Sequence, residues 1–288
     1  MKDIEMPDND LTALVSAEWL KENIGRDDVA VLDASWYLPA QNRDPIAEFA
    51  EGHIPGAQFF HIDQIADKNT ELPHMIPSTE DFAEAVGGLG IGNDHQVIVY
   101  DGMGLQSAAR AWWMFKVFGH QRVAVLDGGL PAWKESGGKT EAAAAPPTPA
   151  AFEATLRPEI VHSLDQINGA LGQNTMQVLD ARGARRFDGS EPEPRAGTRS
   201  GHIPGSLSLP FTTLLEPGTM KMKPLAELKS AIDAAGIKKG TPIVTTCGSG
   251  ITACILSLSL QLVGRTDVAV YDGSWTEWGR REDVPIEV

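Results

Sequence analysis

The segment IVTTCGSGITAC over residues 243–254 holds the most reactive arrangement in the chain. A β-branched run ends at Cys247, glycines at 248 and 250 permit a tight loop, and a helical apolar run follows. Successive backbone N–H groups of such a loop converge on one atom, and the N-terminus of the next helix adds partial positive charge. A sulfur placed there is stabilised as the anion, which is what a nucleophilic cysteine needs. Free cysteines are commonly small buried core residues. The place of Cys247 between a strand and a Gly-x-Gly turn favours the nucleophile; Cys254, among apolar helix residues, reads as packing. Gly248, Ser249, Gly250, Ile251 and Thr252 form the expected anion-holding loop.

A second stretch, DARGARRFDGSEPEPRAGTRSG over 180–201, gathers arginines in an otherwise acidic chain. Guanidinium groups offer a rigid fork for a carboxylate. His53 and His202 recur in two GHIPG turns. Their presence in both halves, including the half without a cysteine, favours a structural role in shaping the turn over acid–base work.

These groups sit on a duplicated framework. Asp33 matches Asp180, His53 matches His202, Asp101 matches Cys247 and Asp127 matches Asp272, at offsets that stay between 145 and 149 residues. A constant period over four landmarks marks a tandem repeat. The loop of the first half, DGMG over 101–104, keeps both glycines but has Asp101 in place of the cysteine. One half is therefore expected to be catalytic and the other supporting.

Within each half, short β-branched runs (29–32, 97–100 and 123–126; 178–179, 243–246 and 268–271) read as buried strands. Residues 108–118 and 253–263 read as helices, and Ser163 with Gln166 as a capping box. Alternation of this kind predicts an α/β fold: two tandem domains, each a parallel sheet flanked by helices. In such sheets reactive groups lie where strand carboxyl ends meet helix N-termini. The Gly, Ala and Pro-rich stretch after Ser136 reads as an exposed linker. The expected division is 1–140, a linker at 141–157, and 158–288, each half with its own core.

Composition narrows the function. The 288 residues carry a net charge of −15, which disfavours nucleic acid and anionic membranes as partners. No run approaches a membrane span, and the opening MKDIEMPDND lacks the basic and apolar regions of a secretory signal. Two cysteines seven residues apart fit neither a disulfide framework nor a metal-ligand pattern. A cytoplasmic, reduced setting is expected.

From about residue 12 to 285 the chain resembles the tandem-domain rhodanese family, on the CGSGITA loop, the two GHIPG turns and YDGSWTEW. The loop closely resembles that of the 3-mercaptopyruvate sulfurtransferase branch. The resemblance implies a rhodanese fold in each half, a persulfide on Cys247 and a site facing the interdomain cleft. Thiosulfate-preferring members usually carry cations just after the cysteine; Gly248 and Ser249 stand there in this chain, which points to 3-mercaptopyruvate. The family pattern places the substrate carboxylate and keto oxygen on Arg186 and Arg195; surface loops commonly carry solvated arginines, and Arg182, Arg185 and Arg199 are read that way.

The resemblance also puts Asp63 and His74 on the first-domain side of the cleft. Asp63 would form a relay with Ser249, which passes a proton to the leaving carbon or polarises the bound thiol, while His74 contacts substrate. His61 stands where many members have an acidic residue. A thiol, a thioredoxin-like protein or cyanide would take the sulfur, with no metal or organic cofactor. The competing readings are a thiosulfate sulfurtransferase and a non-catalytic sulfur carrier. A cysteine phosphatase is disfavoured because Ala253 stands where a C-x5-R loop needs arginine.

Overall fold

The computed structural model describes residues 13–142 and 146–288, so the opening residues read for a targeting signal lie outside the described residues. The first half contributes β1 (Leu14–Val15), β2 (Val29–Asp33), β3 (Gln58–Phe59), β4 (Gln96–Tyr100) and β5 (Val123–Leu126). Around them lie α1 (Ala17–Asn23), α2 (Pro45–Glu51), α3 (Thr79–Gly88), α4 (Ala108–Val117) and α5 (Gly129–Glu135). The second half repeats this with β6 (Val161–His162), β7 (Gln177–Asp180), β8 (Leu207–Ser208), β9 (Ile243–Thr246) and β10 (Val268–Tyr271). Its helices are α6 (Leu164–Ala170), α7 (Ala184–Phe187), α8 (Leu225–Ala234), α9 (Ala253–Leu262) and α10 (Ser274–Trp278).

Both sheets are parallel, in the orders β1-β5-β4-β2-β3 and β6-β10-β9-β7-β8. The inner strands β4 and β9 are buried along their whole length, as continuous β-branched runs in a parallel sheet require. Ser163 and Gln166 form the expected capping box at the start of α6.

The sequence led us to expect two separate cores, and the structure differs. Each sheet has an apolar cluster on its outer face, around Ile98 and Trp133 in the first and Val244 and Trp278 in the second. The inner faces share a single cluster that draws on both halves. Helices α4 and α9 pack against each other at its centre. Each is buried on the side facing its own sheet and on the side facing the other helix, which explains why both sequences are apolar nearly all round.

Residues 146–157, between the halves, are mostly exposed as expected of a linker, yet they are tied down along the first half. Phe152 is buried among Phe82, Phe115 and His120. The backbone N–H groups of Ala150, Thr155 and Arg157 donate to Gly87, Phe118 and Val117. Close approach is possible because Gly87 has no Cβ, which would meet the Ala150 carbonyl at 2.5 Å. Phe152 and these three backbone bonds together fix residues 150–157 along the first half.

Both GHIPG histidines hold turns. His53 stacks on Phe49, bonds the Phe49 carbonyl through Nδ1 and bridges by backbone to Glu141. His202 repeats this with Phe187 and Glu287. Among the described residues no helix is long and apolar enough to cross a membrane.

Candidate active site

Cys247 follows the last residue of β9 and α9 begins at Ala253, so residues 247–252 form the connecting loop. For loop N–H groups to converge, the carbonyls must point away, and each needs its own donor. The structure supplies them for Cys247, Gly248 and Gly250. The Cys247 carbonyl accepts from Trp275 N at 3.0 Å, and the Gly248 carbonyl from Thr276 N at 2.8 Å and Thr276 Oγ1 at 2.6 Å. The Gly250 carbonyl accepts from Arg110 Nη1 at 3.1 Å and from the Cys254 thiol at 3.3 Å. Cys247 N donates to Ser274 Oγ at 3.2 Å. The DGSWTEW motif, whose residues open α10, therefore serves as a clamp on the loop. Gly250 has φ of +79°, where a side chain would be strained, and a Cβ there would meet the Asp272 carbonyl at 2.8 Å.

Within the described residues the N–H groups of Gly248 through Thr252 have no acceptor. Their purpose is legible in the first half, where Asp101 occupies the cysteine position. Its buried carboxylate accepts from Met103 and Gly104 through Oδ1 and from Gln106, Ser107 and Ala108 through Oδ2, all at 2.7–3.0 Å. The first loop is a nest filled by its own anion. It is one residue longer than the second, since β4 ends at Tyr100 and α4 begins at Ala108. Asp101→Asn would set an amide NH2 against some of these donors, so we expect a loss of about 3 kcal/mol of stability. Urea unfolding of the variant beside wild type measures it, and an unchanged midpoint would show that the nest does not depend on the charge.

The arginine-rich segment sorts into two groups. Arg182 is buried, pairs with Asp180 and Glu193, and lies over the Trp275 ring. Arg199 bonds the carbonyls of Trp278, Gly279, Arg281 and Val284. These two are structural rather than solvated: Arg182 neutralises two buried carboxylates, and Arg199 satisfies carbonyls at the end of α10 and just beyond it. Arg185 is exposed, as expected.

Arg186 is held by Glu193 through Nε at 3.1 Å and Nη2 at 2.5 Å, and its guanidinium lies against Gly248. Arg195 is half-buried and has no hydrogen-bond or ion-pair partner among the described residues. Burial pushes its guanidinium below the usual arginine value; the charge on Cys247 opposes this, while Arg186 and Arg280 add to it. Cys247, Arg186, Arg195 and Arg280 therefore share one electrostatic neighbourhood. Arg280, just after the DGSWTEW motif, was not singled out from sequence. For Cys254, burial pushes the thiol up, consistent with packing rather than attack.

From the first half come Asp63 and His74. His74 Nδ1 lies 2.5 Å from Asp63 Oδ1, and Trp36 Nε1 donates to Asp63 Oδ2 at 2.9 Å. Burial works against the Asp63 charge, but the bonds from His74 and Trp36 prevail and hold its carboxyl below the usual range. Asp63 makes no direct bond to Ser249 among the described residues. Asp63 instead orients His74, whose Nε2 is buried without a partner. Ser249 is buried in the loop, and His61 bonds the Gln64 N–H.

Comparison with known proteins agrees with this geometry. Residues 16–136 and 163–281 each match the Rhodanese-like domain family. A 3-mercaptopyruvate sulfurtransferase from Homo sapiens is 44% identical over 284 residues, covering 96% of this chain and 95% of that protein. Thiosulfate/3-mercaptopyruvate sulfurtransferase 2 from Arabidopsis thaliana is 47% identical, covering 95% and 86%. The crystal structure of SseA from Escherichia coli, titled as a 3-mercaptopyruvate sulfotransferase, superposes with a TM-score of 0.84 at 38% identity. That match covers 92% of this chain and 99% of the other.

Proposed function

Because this chain belongs to the rhodanese family, among its tandem-domain sulfurtransferases of the 3-mercaptopyruvate type, we propose that it moves the sulfur of 3-mercaptopyruvate to a thiol through a persulfide on Cys247. The observation that carries the substrate is Arg195, a half-buried guanidinium without a partner among the described residues, in the electrostatic neighbourhood of Cys247 and Arg186. An α-keto acid thiol presents a carboxylate to Arg195 and Arg186 and its sulfur to the nucleophile.

In the first step the Cys247 thiolate attacks the substrate sulfur, an S–S bond forms and the C–S bond breaks. The electron pair leaves on carbon as the enolate of pyruvate. The Ser249 hydroxyl delivers the proton that converts it to pyruvate, and the proton on the outer sulfur replaces it. The N–H groups of the loop hold the anionic persulfide, as the equivalent groups of the first half hold the Asp101 carboxylate. In the second step an acceptor thiolate takes the outer sulfur and Cys247 leaves as thiolate. The acceptor is a small thiol or a thioredoxin-like protein in a reduced cytoplasm. Cyanide would serve in an assay and yield thiocyanate.

His74 contacts the substrate through Nε2, with Asp63 fixing the ring as in other Asp–His pairs. A carboxylate whose folded value is lowered contributes above its unfolded value, near 4, and loses that contribution only as pH falls through the lowered one. Asp63 therefore stays ionised between about pH 5 and 9 and sets no limb of the pH–rate profile there. Asp63→Asn should lower kcat on the order of 10- to 100-fold with little change in KM. A variant with an unchanged kcat would remove the Asp63–His74 pair from the reaction.

Thiosulfate is the second reading, favoured by the gathering of Arg186, Arg195 and Arg280 near Cys247, which suits a dianion. Steady-state rates with both donors against one thiol acceptor decide. We expect parallel double-reciprocal lines and a higher kcat/KM for 3-mercaptopyruvate. A preference for thiosulfate would reverse the substrate assignment and leave the nucleophile in place.

A further inference from the structure

The duplication makes one asymmetry informative. Asp272 Oδ2 accepts from Ile76 N of the first half at 2.8 Å, and its counterpart Asp127 accepts from Met222 N of the second half at 2.8 Å. These two ties are related by the repeat and hold the halves together in the same way. Arg110 has no such counterpart. It is the third residue of α4, and the third residue of α9 is Ile255. A charge is therefore present only on the central helix that faces the cysteine-bearing loop.

Arg110 is fully buried, lies over the Trp113 ring at 4.6 Å and pairs with Asp272 at 2.6 Å. Its remaining bonds go to two carbonyls that matter: Nη1 donates to Gly250 in the catalytic loop and Nη2 to His74. His74 has φ of +64°, a left-handed conformation unfavourable for a side-chain-bearing residue, so its backbone needs outside support. Burying an ion pair gains little stability over an apolar pair of the same size. The Asp–backbone ties already join the halves, so Arg110 is not required for that purpose.

We infer that Arg110 is a positioning residue for sulfur transfer, a side chain of the supporting half that sets the catalytic loop and His74 in register. By holding the Gly250 carbonyl outward it keeps the loop N–H groups turned toward Cys247. By holding the His74 carbonyl with the same guanidinium it fixes the distance between the two parts of the site. The supporting half thus reaches the catalytic loop through Arg110, beside the Asp63–His74 pair that it contributes to the site.

This inference rests on the persulfide route proposed above, and the test separates the two. Wild-type enzyme is first mixed with excess 3-mercaptopyruvate, and with thiosulfate in parallel, and the rate of sulfur gain is followed by quenched intact-mass measurement. Failure of wild type with both donors overturns the route, and this inference with it. If wild type reacts, Arg110→Met/Asp272→Asn removes both charges together and leaves no unpaired ion. We expect a folded protein by circular dichroism, an apparent KM within about 3-fold, and persulfide formation slowed about 100-fold. Arg110→Lys keeps the charge but reaches fewer carbonyls, and should fall about 10-fold, an intermediate rescue. A folded double variant with a rate within about 3-fold of wild type overturns the inference, as does a loss confined to KM. If the double variant does not fold, Arg110→Lys alone decides, and a rate within 2-fold of wild type overturns it.

Discussion

Cys247→Ser abolishes sulfur transfer, with a fall in kcat of at least about 10,000-fold, while leaving the fold intact. The hydroxyl of serine cannot accept and release sulfur, so no part of the two-step route survives. The fold survives because the Cys247 side chain carries none of the bonds that shape the loop. Those run through its backbone N–H to Ser274, its carbonyl to Trp275, and the neighbouring carbonyls of Gly248 and Gly250. Turnover assays with 3-mercaptopyruvate and with thiosulfate, beside a urea melt, check both halves of this expectation. Residual turnover above about 1% of wild type would show that another group carries the sulfur.

Arg195→Ala has the second largest effect, a loss of about 100-fold in kcat/KM for 3-mercaptopyruvate, equivalent to about 2.7 kcal/mol. Among the described residues nothing satisfies the Arg195 guanidinium, so its bonding capacity is available to substrate, and truncation leaves none of them unpaired. Arg186→Ala should cost less, about 10- to 30-fold, because part of that guanidinium is committed to Glu193. Glu193 keeps Arg182 as a partner in that variant, so stability should change little. Arg195→Lys should recover only part of the loss, since a point charge does not reproduce a bidentate fork. Equal kinetics for Arg195→Ala and wild type would mean that the carboxylate binds elsewhere, with Arg280 the first alternative.

Much of this was legible before the structure. The repeat period, the strands at 243–246 and 268–271, and the strand–loop–helix setting of Cys247 follow from turn glycines and β-branched runs, which are local signals. The nucleophilic loop could be read because its chemistry lies in consecutive residues. Relations between distant residues were less legible. Arg110 sits in AARAWWMF, where a lone cation on a helix reads as its solvent face. Only the packing of α4 on α9 turns that face inward, although a single charge amid so apolar a run was a usable signal. The bonds of Trp36 and His74 to Asp63 join residues far apart in the chain, and no local pattern in the sequence signals them.

The separate-core expectation failed for a related reason. Repeats suggest independent units, yet two helices apolar nearly all round must bury their second face somewhere, and each finds the other. Arg182 and Arg199 were misread because a surface loop looks solvated until the carbonyls and carboxylates beneath it are known. The one-residue difference between the loops was present in the sequence. The repeat offset shortens between the cysteine position and the helix after it.

The most direct test of the central claim is the intact mass of the protein after brief exposure to 3-mercaptopyruvate, with Cys247→Ser alongside. The account predicts a gain of one sulfur atom in wild type, its loss on adding a thiol, and no gain in the variant. A wild-type mass that does not change in reduced, folded protein, or an equal gain in Cys247→Ser, would contradict it.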